Sequence, residues 1–220
     1  MTSRSSPWVA ASHANASWSV ASVTRSVYIH VVRRLVTFLV LMIGCARDPV
    51  AATCPDVAVG DLAVTEIRGP QNQDDLGTWV EIYNASSGSI DLEGLEIRFR
   101  KKDGSSETDV LVRRAVVVAA GGYITLGRFA DDNTRPEYID YGVSGDYHTS
   151  FLPAAAVDLE SCGTRIDRIT YDVLPAMGTY SLGGRPSADN NDLPINWCTD
   201  ATNLAGTYPG TPQQANIVCP

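Results

Sequence analysis

The chain has 220 residues, with 17 basic and 25 acidic side chains and a net charge of −8, which is room for one ordinary domain plus additional segments. Every acidic residue lies from Asp48 onward, so residues 45–220 carry 13 basic and 25 acidic side chains, a net charge of −12. Because such a surface repels nucleic-acid phosphates, we expect no nucleic-acid partner.

Residues 1–44 have the pattern of an export signal. Arg33 and Arg34 precede an apolar run over residues 35–44, about half of the roughly 20 residues that span a bilayer but the length of a signal-peptide core. The polar residues 1–26 exceed what a signal needs, so they are either an extension or precede the true start. The run ends in Leu-Met-Ile-Gly-Cys45, which resembles the bacterial lipoprotein cleavage box.

That resemblance implies cleavage after Gly44 and acylation of Cys45. The alternative is an ordinary secretory signal followed by an incidental cysteine. We expect export and lipid anchoring to the bacterial cell envelope, with the outer membrane favoured, and a tether over residues 45–60.

Four other cysteines fit an oxidising destination. They are Cys54, Cys162, Cys198 and Cys219, and they predict two disulfides with three possible connectivities. We favour Cys162–Cys198 with Cys54–Cys219, which would pin the tail to the domain and join its ends. No CxxC pair occurs, so no zinc site is expected.

Short apolar runs broken by turn residues predict a β-rich domain over residues 61–172. The predicted strands are Leu62–Ile67, Trp79–Asn84, Leu95–Phe99, Val110–Val118, Tyr123–Leu126, Ala156–Leu159 and Arg165–Tyr171. Residues 127–153 are expected to form a long irregular stretch. Residues 173–220, rich in Gly, Pro, Asn and Asp, predict an irregular tail that is packed down.

Five pieces of residues 61–172 resemble the lamin-tail domain family. They are Val64–Ile67, Trp79–Asn84, Asp91–Leu95, Gly121–Gly127 and Arg165–Asp172. Leu95 replaces a frequent aromatic, and Gly121-Gly122 replaces Pro-Gly. The resemblance implies an all-β fold, an immunoglobulin-like β-sandwich with an irregular, disulfide-pinned C-terminal tail. The tail resembles the C-terminal extension of bacterial surface copies of this domain.

Glu66 and Glu81 occupy matching places on two strands that we expect to pair. Like charges opposite each other on a sheet are unfavourable, so the pair needs a reason. Either they hold a cation or act as acid and base, or each accepts hydrogen bonds from nearby backbone and hydroxyl groups. We favour the second interpretation and predict no metal and no cofactor.

Two loops carry clusters of oxygen ligands, Asp131–Asn133 and Asp189–Asp192. Calcium is bound by such groups, but neither loop has the spacing of an EF-hand. Asp and Asn also favour turns through local hydrogen bonds, and we favour that interpretation.

Arg98, Arg100 and Lys102 alternate along one predicted strand, with Arg113-Arg114 on the next. On an acidic protein this is a positive stripe that could contact an anion, although a solvated hairpin face is the simpler interpretation. His148 is a loop histidine without a Gly-x-Ser-x-Gly motif nearby.

Three functional hypotheses follow. The favoured one is a non-catalytic, lipid-anchored envelope domain that binds or scaffolds, contacting the membrane through its lipid and an unidentified envelope protein or glycan. The second is a small metal-dependent hydrolase, or a hydrolase accessory, that uses the acidic residues. The third is a structural component with weak self-association through unpaired strand edges.

Overall fold

The computed structural model describes residues 53–71, 76–147, 154–202 and 210–220, all within the second of two units of the chain, Val50–Pro220. Met1–Pro49 lies outside the described residues. The described part contains twelve strands: β1 (Leu62–Arg68), β2 (Trp79–Asn84), β3 (Ile90–Asp91), β4 (Glu96–Arg100), β5 (Thr108–Leu111), β6 (Val117–Val118), β7 (Tyr123–Gly127), β8 (Tyr141–Gly142), β9 (Ala155–Ser161), β10 (Thr164–Tyr171), β11 (Thr179–Leu182) and β12 (Trp197–Asp200).

Ten of these strands form two larger sheets. The six-stranded sheet has the order β12-β11-β1-β2-β7-β8, and the four-stranded sheet has the order β10-β9-β4-β5. All neighbours are antiparallel except β7 and β8, which pair in parallel. Strands β3 and β6 form a separate two-stranded ribbon. The expected all-β class is confirmed, in a β-sandwich-like arrangement.

The hydrophobic core draws alternate residues from both larger sheets. Val80 and Ile82 of β2 belong to it, as do Ile97 and Phe99 of β4 and Val157 of β9. Strand β4 alternates buried and half-buried residues along its whole length, the period-2 pattern of a sheet with one covered face. The predicted alternation of this strand is therefore confirmed.

A β-bulge in β1 changes which face its later residues occupy. The register with β2 shifts between Val64 and Glu66, so one extra residue lies on β1. Without that residue, Glu66 would point to the same side as Leu62 and Val64, which are core residues. The bulge instead places Ile67 in the core and turns Glu66 to the opposite face.

Two predictions of secondary structure are wrong. The run 110–118 is not one strand, because it divides into β5 and β6, which pair with different partners. The tail is not irregular throughout, since it supplies β11 and β12 to the larger sheet. It also contains a short helix, α1 (Ala188–Asn191), capped by Ser187, and a 3-10 turn at Pro194–Asn196.

The favoured disulfide pairing is also wrong, although all four cysteines form disulfides. Cys54 is bonded to Cys162, and Cys198 is bonded to Cys219. The first bond ties the start of the described chain to the turn between β9 and β10. The second ties the C-terminus to strand β12, so this bond lies within the tail and does not join the tail to the rest of the domain.

The stretch 127–153, predicted to be irregular, contains β8 and a packed cluster as far as it is described. Trp79, Tyr138 and Ile139 form a second small core, with Phe129 against it. His148 lies outside the described residues. No helix of the described residues is long and apolar enough to cross a membrane.

Candidate functional site

The glutamate pair expected from the sequence is assembled at the centre of the six-stranded sheet. Glu66 on β1 and Glu81 on β2 are direct cross-strand partners, and both side chains have no exposed surface. They project from the face opposite the core, where residues 210–220, here called the C-terminal segment, cover them. The segment was not predicted to touch the pair.

Hydroxyl and backbone donors surround both carboxyl groups. Glu66 Oε1 accepts hydrogen bonds from the hydroxyls of Ser181, at 2.6 Å, and Thr179, and from the backbone N–H of Thr211 at 3.2 Å. Its second oxygen, Oε2, is buried without a hydrogen-bond partner. Glu81 Oε1 accepts from the hydroxyl of Thr65 at 2.8 Å, and its Oε2 accepts from the backbone N–H of Gln213 at 2.7 Å.

Burial makes these carboxyl groups hard to ionise. Loss of solvent raises the pKa of Glu66 to about 7, against the lowering effect of its hydrogen bonds and with a further raising effect from Asp200. The pKa of Glu81 is raised well above its ordinary value, first by burial and then by the charge on Glu66. Each group therefore keeps its proton to a higher pH than an exposed glutamate does, and a protonated partner removes the repulsion between opposed charges.

The C-terminal segment is held on this face by more than the two carboxyl groups. The side-chain amide of Asn216 donates to the carbonyl oxygens of Thr65 at 2.7 Å and Leu182 at 3.2 Å. The amide of Gln213 donates to Asp140 Oδ1 at 2.9 Å. The glutamate pair therefore serves as the central acceptor of a docked segment, in agreement with the favoured hydrogen-bonding interpretation.

The predicted positive stripe is interleaved with carboxylates. Arg98 lies 3.0 Å from Glu96 and 3.3 Å from Glu160, and Arg100 pairs with the fully buried carboxylate of Asp158. Across the sheet, Arg168, Asp158, Arg98 and Asp109 are successive register partners, so charges alternate in one row from β10 to β5. This row neutralises the stripe, and anion contact there would have to compete with the internal pairs.

The other cations named with the stripe are paired as well. Lys102 forms an ion pair with Asp172. Arg113 bonds Asp146, and Arg114 donates to both oxygens of Asp131, at 2.6 and 2.8 Å. These contacts give each cation a structural partner.

The first acidic loop uses its carboxylate oxygens in local structure, and the second uses the side-chain amide of Asn191. Asp131 holds Arg114 and the backbone N–H of Gly142, while Asp132 accepts from the backbone and hydroxyl of Thr134. In the second loop, the amide of Asn191 donates to Val64 O and to Asp167 Oδ2. Among the described residues, no group of three or more His, Cys, Asp or Glu side chains could hold a metal ion.

A polar cleft of about 670 Å³ lies between β10 and helix α1. Its charged lining comprises Asp61, Arg165, Asp167, Arg168, Asp189 and Asp192. Sequence reasoning named the loop with Asp189 and Asp192 but missed Asp167. Its position in the strand was the signal that could have found it. Asp167 stands two residues before the core residue Ile169, so its side chain lies on the face of β10 that carries apolar residues.

The lipidation site and the leader remain predictions. Cys45 and residues 1–44 lie outside the described residues, as does part of the tether over residues 45–60. No protein-family model matches the chain, and a search of the curated proteins finds none that matches it.

Proposed function

We propose that this chain is a lipid-anchored domain of the bacterial cell envelope that acts in binding or scaffolding and carries out no catalysis. One observation supports the absence of catalysis most directly. The carboxyl pair that the sequence offered as a candidate acid and base, Glu66 and Glu81, is fully buried and accepts hydrogen bonds from the C-terminal segment. A general acid or base needs to reach the proton that it transfers, which this packing opposes.

The finer fold proposed is an immunoglobulin-like sandwich of the lamin-tail type. Four of the five resembling pieces coincide with strands of the larger sheets: Val64–Ile67 with β1, Trp79–Asn84 with β2, Gly121–Gly127 with β7 and its turn, and Arg165–Asp172 with β10. Because these pieces form strands of the larger sheets, the resemblance carries information about the fold. Function on such a frame resides in its loops and surfaces.

The proposed location rests on the leader and on the cysteines. Both disulfides link cysteines that an exported chain would oxidise, and disulfides persist outside reducing compartments. Cys54 is disulfide-bonded to the sandwich close to the start of the described chain. A lipid on Cys45 would therefore be joined to the domain through a short tether.

The anchoring is tested by labelling the full chain with a radioactive fatty acid in a bacterial host. The wild-type protein should incorporate label and sediment with membranes, and Cys45→Ser should lose both properties. Cys54→Ser, which removes a nearby disulfide cysteine, should keep the label. A Cys45→Ser protein that remains acylated would overturn the anchor.

The binding role is tested by cross-linking in intact envelopes with the wild-type chain as bait. A reproducible partner that is absent from the Cys45→Ser control would support an interaction domain at the membrane. Recovery of the bait alone would instead favour a structural component that associates with itself. The strands β5, β8, β10 and β12 at the ends of the two larger sheets make self-association physically available.

A further inference from the structure

The cleft beside α1 is built around one buried carboxylate. Asp167 has only 5% of its surface exposed, yet it lines the cleft. Asp167 alternates in step with Ile169 and Tyr171, so its carboxylate lies on the face of β10 that otherwise carries core residues.

The two oxygens of Asp167 have different roles. Oδ2 accepts from the backbone N–H of Val64 at 2.8 Å and from the side-chain amide of Asn191 at 2.8 Å. These two donors fix the carboxylate between the two sheets. Oδ1 has no hydrogen-bond partner among the described residues. Because Asp167 lines the cleft, this oxygen is a ready acceptor at the cleft wall.

The charges around Asp167 favour a positively charged ligand. Asp189 and Asp192 also line the cleft, and neither carboxylate has a side-chain partner within the described part of the chain. Arg168 contributes little positive charge because it donates to both oxygens of Asp158. Arg165 is exposed at the cleft and also interacts electrostatically with Asp158.

We propose that this cleft binds a small organic ligand through a primary ammonium group, with Asp167 as the central acceptor and Asp189 and Asp192 as flanking charges. The ligand class is that of amino sugars and of amino acids with an amine side chain. The proposal deepens the proposed binding role and rests on it. It concerns the cleft and not the lipid anchor, so an experiment can contradict the ligand proposal without contradicting the anchor, and the reverse.

Size and ligand geometry favour an organic ammonium over a bare metal ion. A volume of about 670 Å³ lies within the range of sites for small molecules, roughly 300–1,000 Å³. A calcium ion needs six or more oxygen ligands, and the described residues offer no metal-holding cluster. An ammonium group needs only a few acceptors. The guanidinium of Arg165, at the same cleft, can pair with a carboxylate on the same ligand.

Burial raises the pKa of Asp167 to about 7, opposed by the hydrogen bonds from Val64 and Asn191 and increased by the charges of Asp192 and Asp158. Asp61, Asp189, Arg165 and Arg168 are the other charged groups at the cleft. An ammonium ion prefers the ionised carboxylate, so binding of methylammonium, which stays protonated in this range, should strengthen as the pH rises from about 6 to 8.

The test is a titration of the full chain, held in detergent, by two-dimensional NMR. The probes are methylammonium and glucosamine, with N-acetylglucosamine as the neutral counterpart of glucosamine. The signals to follow are the backbone amide of Val64 and the side-chain amide of Asn191, because both donate to Asp167. We expect saturable shifts with the two ammonium probes and none with N-acetylglucosamine.

Matched variants assign the effect to the cleft. Asp167→Asn retains an acceptor for both donors but removes the charge, and it should weaken glucosamine binding at least tenfold. Asp192→Asn should weaken it several-fold. Asp103→Asn, the same change at an exposed turn outside the cleft, should leave it unchanged.

Three outcomes would overturn the proposal. The first is the absence of saturable shifts with both ammonium probes. The second is equal binding of glucosamine by the wild-type and Asp167→Asn proteins when both are folded. The third is tighter binding of calcium chloride at matched ionic strength, which would make the cleft an inorganic cation site. None of these outcomes would change the result of the fatty-acid labelling of Cys45, so they would not contradict the proposed lipid anchor.

Discussion

Glu66 and Glu81 are direct cross-strand partners on β1 and β2, and neither side chain has any exposed surface. Opposed carboxylates would repel each other strongly in such a place. The pair is tolerated because hydroxyl and backbone donors surround it and because burial raises both pKa values. The C-terminal segment supplies two of the donors, so the charge state of the pair is linked to the docking of the segment.

This linkage predicts that stability falls as the pH rises from about 4.5 to about 7. In that window the folded protein keeps a proton on Glu66 that the unfolded chain releases, because its pKa is about 7 against an ordinary value of 4.5. The contribution is complete below pH 4.5 and is lost above the folded pKa. Its size is roughly 3 kcal/mol, from about 1.4 kcal/mol per pKa unit. Thermal melts across pH 4–8 measure it.

Glu66→Gln should flatten that pH dependence and raise the melting temperature at pH 8. Glutamine keeps an oxygen acceptor for Thr211 and has no charge to bury. Glu137→Gln, the same change at an exposed position, should leave the slope as in the wild-type protein. Asp167, whose pKa is raised to about 7, and Glu81, whose pKa is also raised, contribute slopes of the same sign that both variants retain. An unchanged slope in Glu66→Gln would contradict the linkage.

Gly210→Ala should loosen the C-terminal segment. Gly210 has a φ of +80°, and a Cβ there would collide with Glu66 Oε1 and with the side chain of Thr179. Gly163→Ala is the matched control, because Gly163 has a φ of +78° and open space around it. Both variants bear the backbone cost of a positive φ, about 1–2 kcal/mol, but only the first adds a collision. We expect urea unfolding to show the larger loss for Gly210→Ala.

The two disulfides should contribute unequally to stability. Cys54–Cys162 closes a sequence separation of 108 residues, and Cys198–Cys219 closes 21. Chain-entropy arguments give the longer loop an advantage of roughly 1–1.5 kcal/mol. Urea unfolding of the two double Cys→Ser variants measures the difference. A larger loss on removing Cys198–Cys219 would show that the bond acts mainly by holding the C-terminal segment on the sheet.

Local sequence patterns predicted the strands well where one pattern sufficed. The alternation around Ile97 and the apolar runs of β2 and β7 identify strands because their periodicity is local. The bulges in β1 and β10 could not be predicted, since a one-residue register shift leaves the composition unchanged. The position of Glu66 depends on the bulge in β1, so the pattern named this residue without its environment. Asp167 instead follows the alternation of Ile169, and it was missed because it is a polar residue at an apolar position of β10.

Long-range pairing was the other part that the sequence left open. Four cysteines allow three connectivities, and no local signal distinguishes them. The tail was expected to be irregular because Gly, Pro, Asn and Asp are frequent in every short stretch of its sequence. Strand β11 forms regardless, since β1 provides a sheet edge with which it pairs. Tertiary context therefore overrides a weak local propensity in this segment.

The alternating charge row on the four-stranded sheet provides a final prediction, because its members differ in burial. Asp158 has no exposed surface and pairs with Arg100 and Arg168, whereas Asp109 has a 55% exposed side chain and lies 3.6 Å from Arg98. Removing one partner of a buried pair leaves an uncompensated charge, at a cost of about 3–5 kcal/mol, while exposed pairs contribute about 0–1 kcal/mol. Asp158→Asn should therefore destabilise the domain far more than Asp109→Asn.

Urea unfolding at low and high salt separates the two cases further. The effect of Asp109→Asn should shrink at 1 M sodium chloride, because salt screens exposed charges, and that of Asp158→Asn should persist. Equal, small losses for both variants would mean that Arg100 and Arg168 find solvent when Asp158 loses its charge. The row would then be a solvated surface and not a structural element, and its arginines would be available to an external anion.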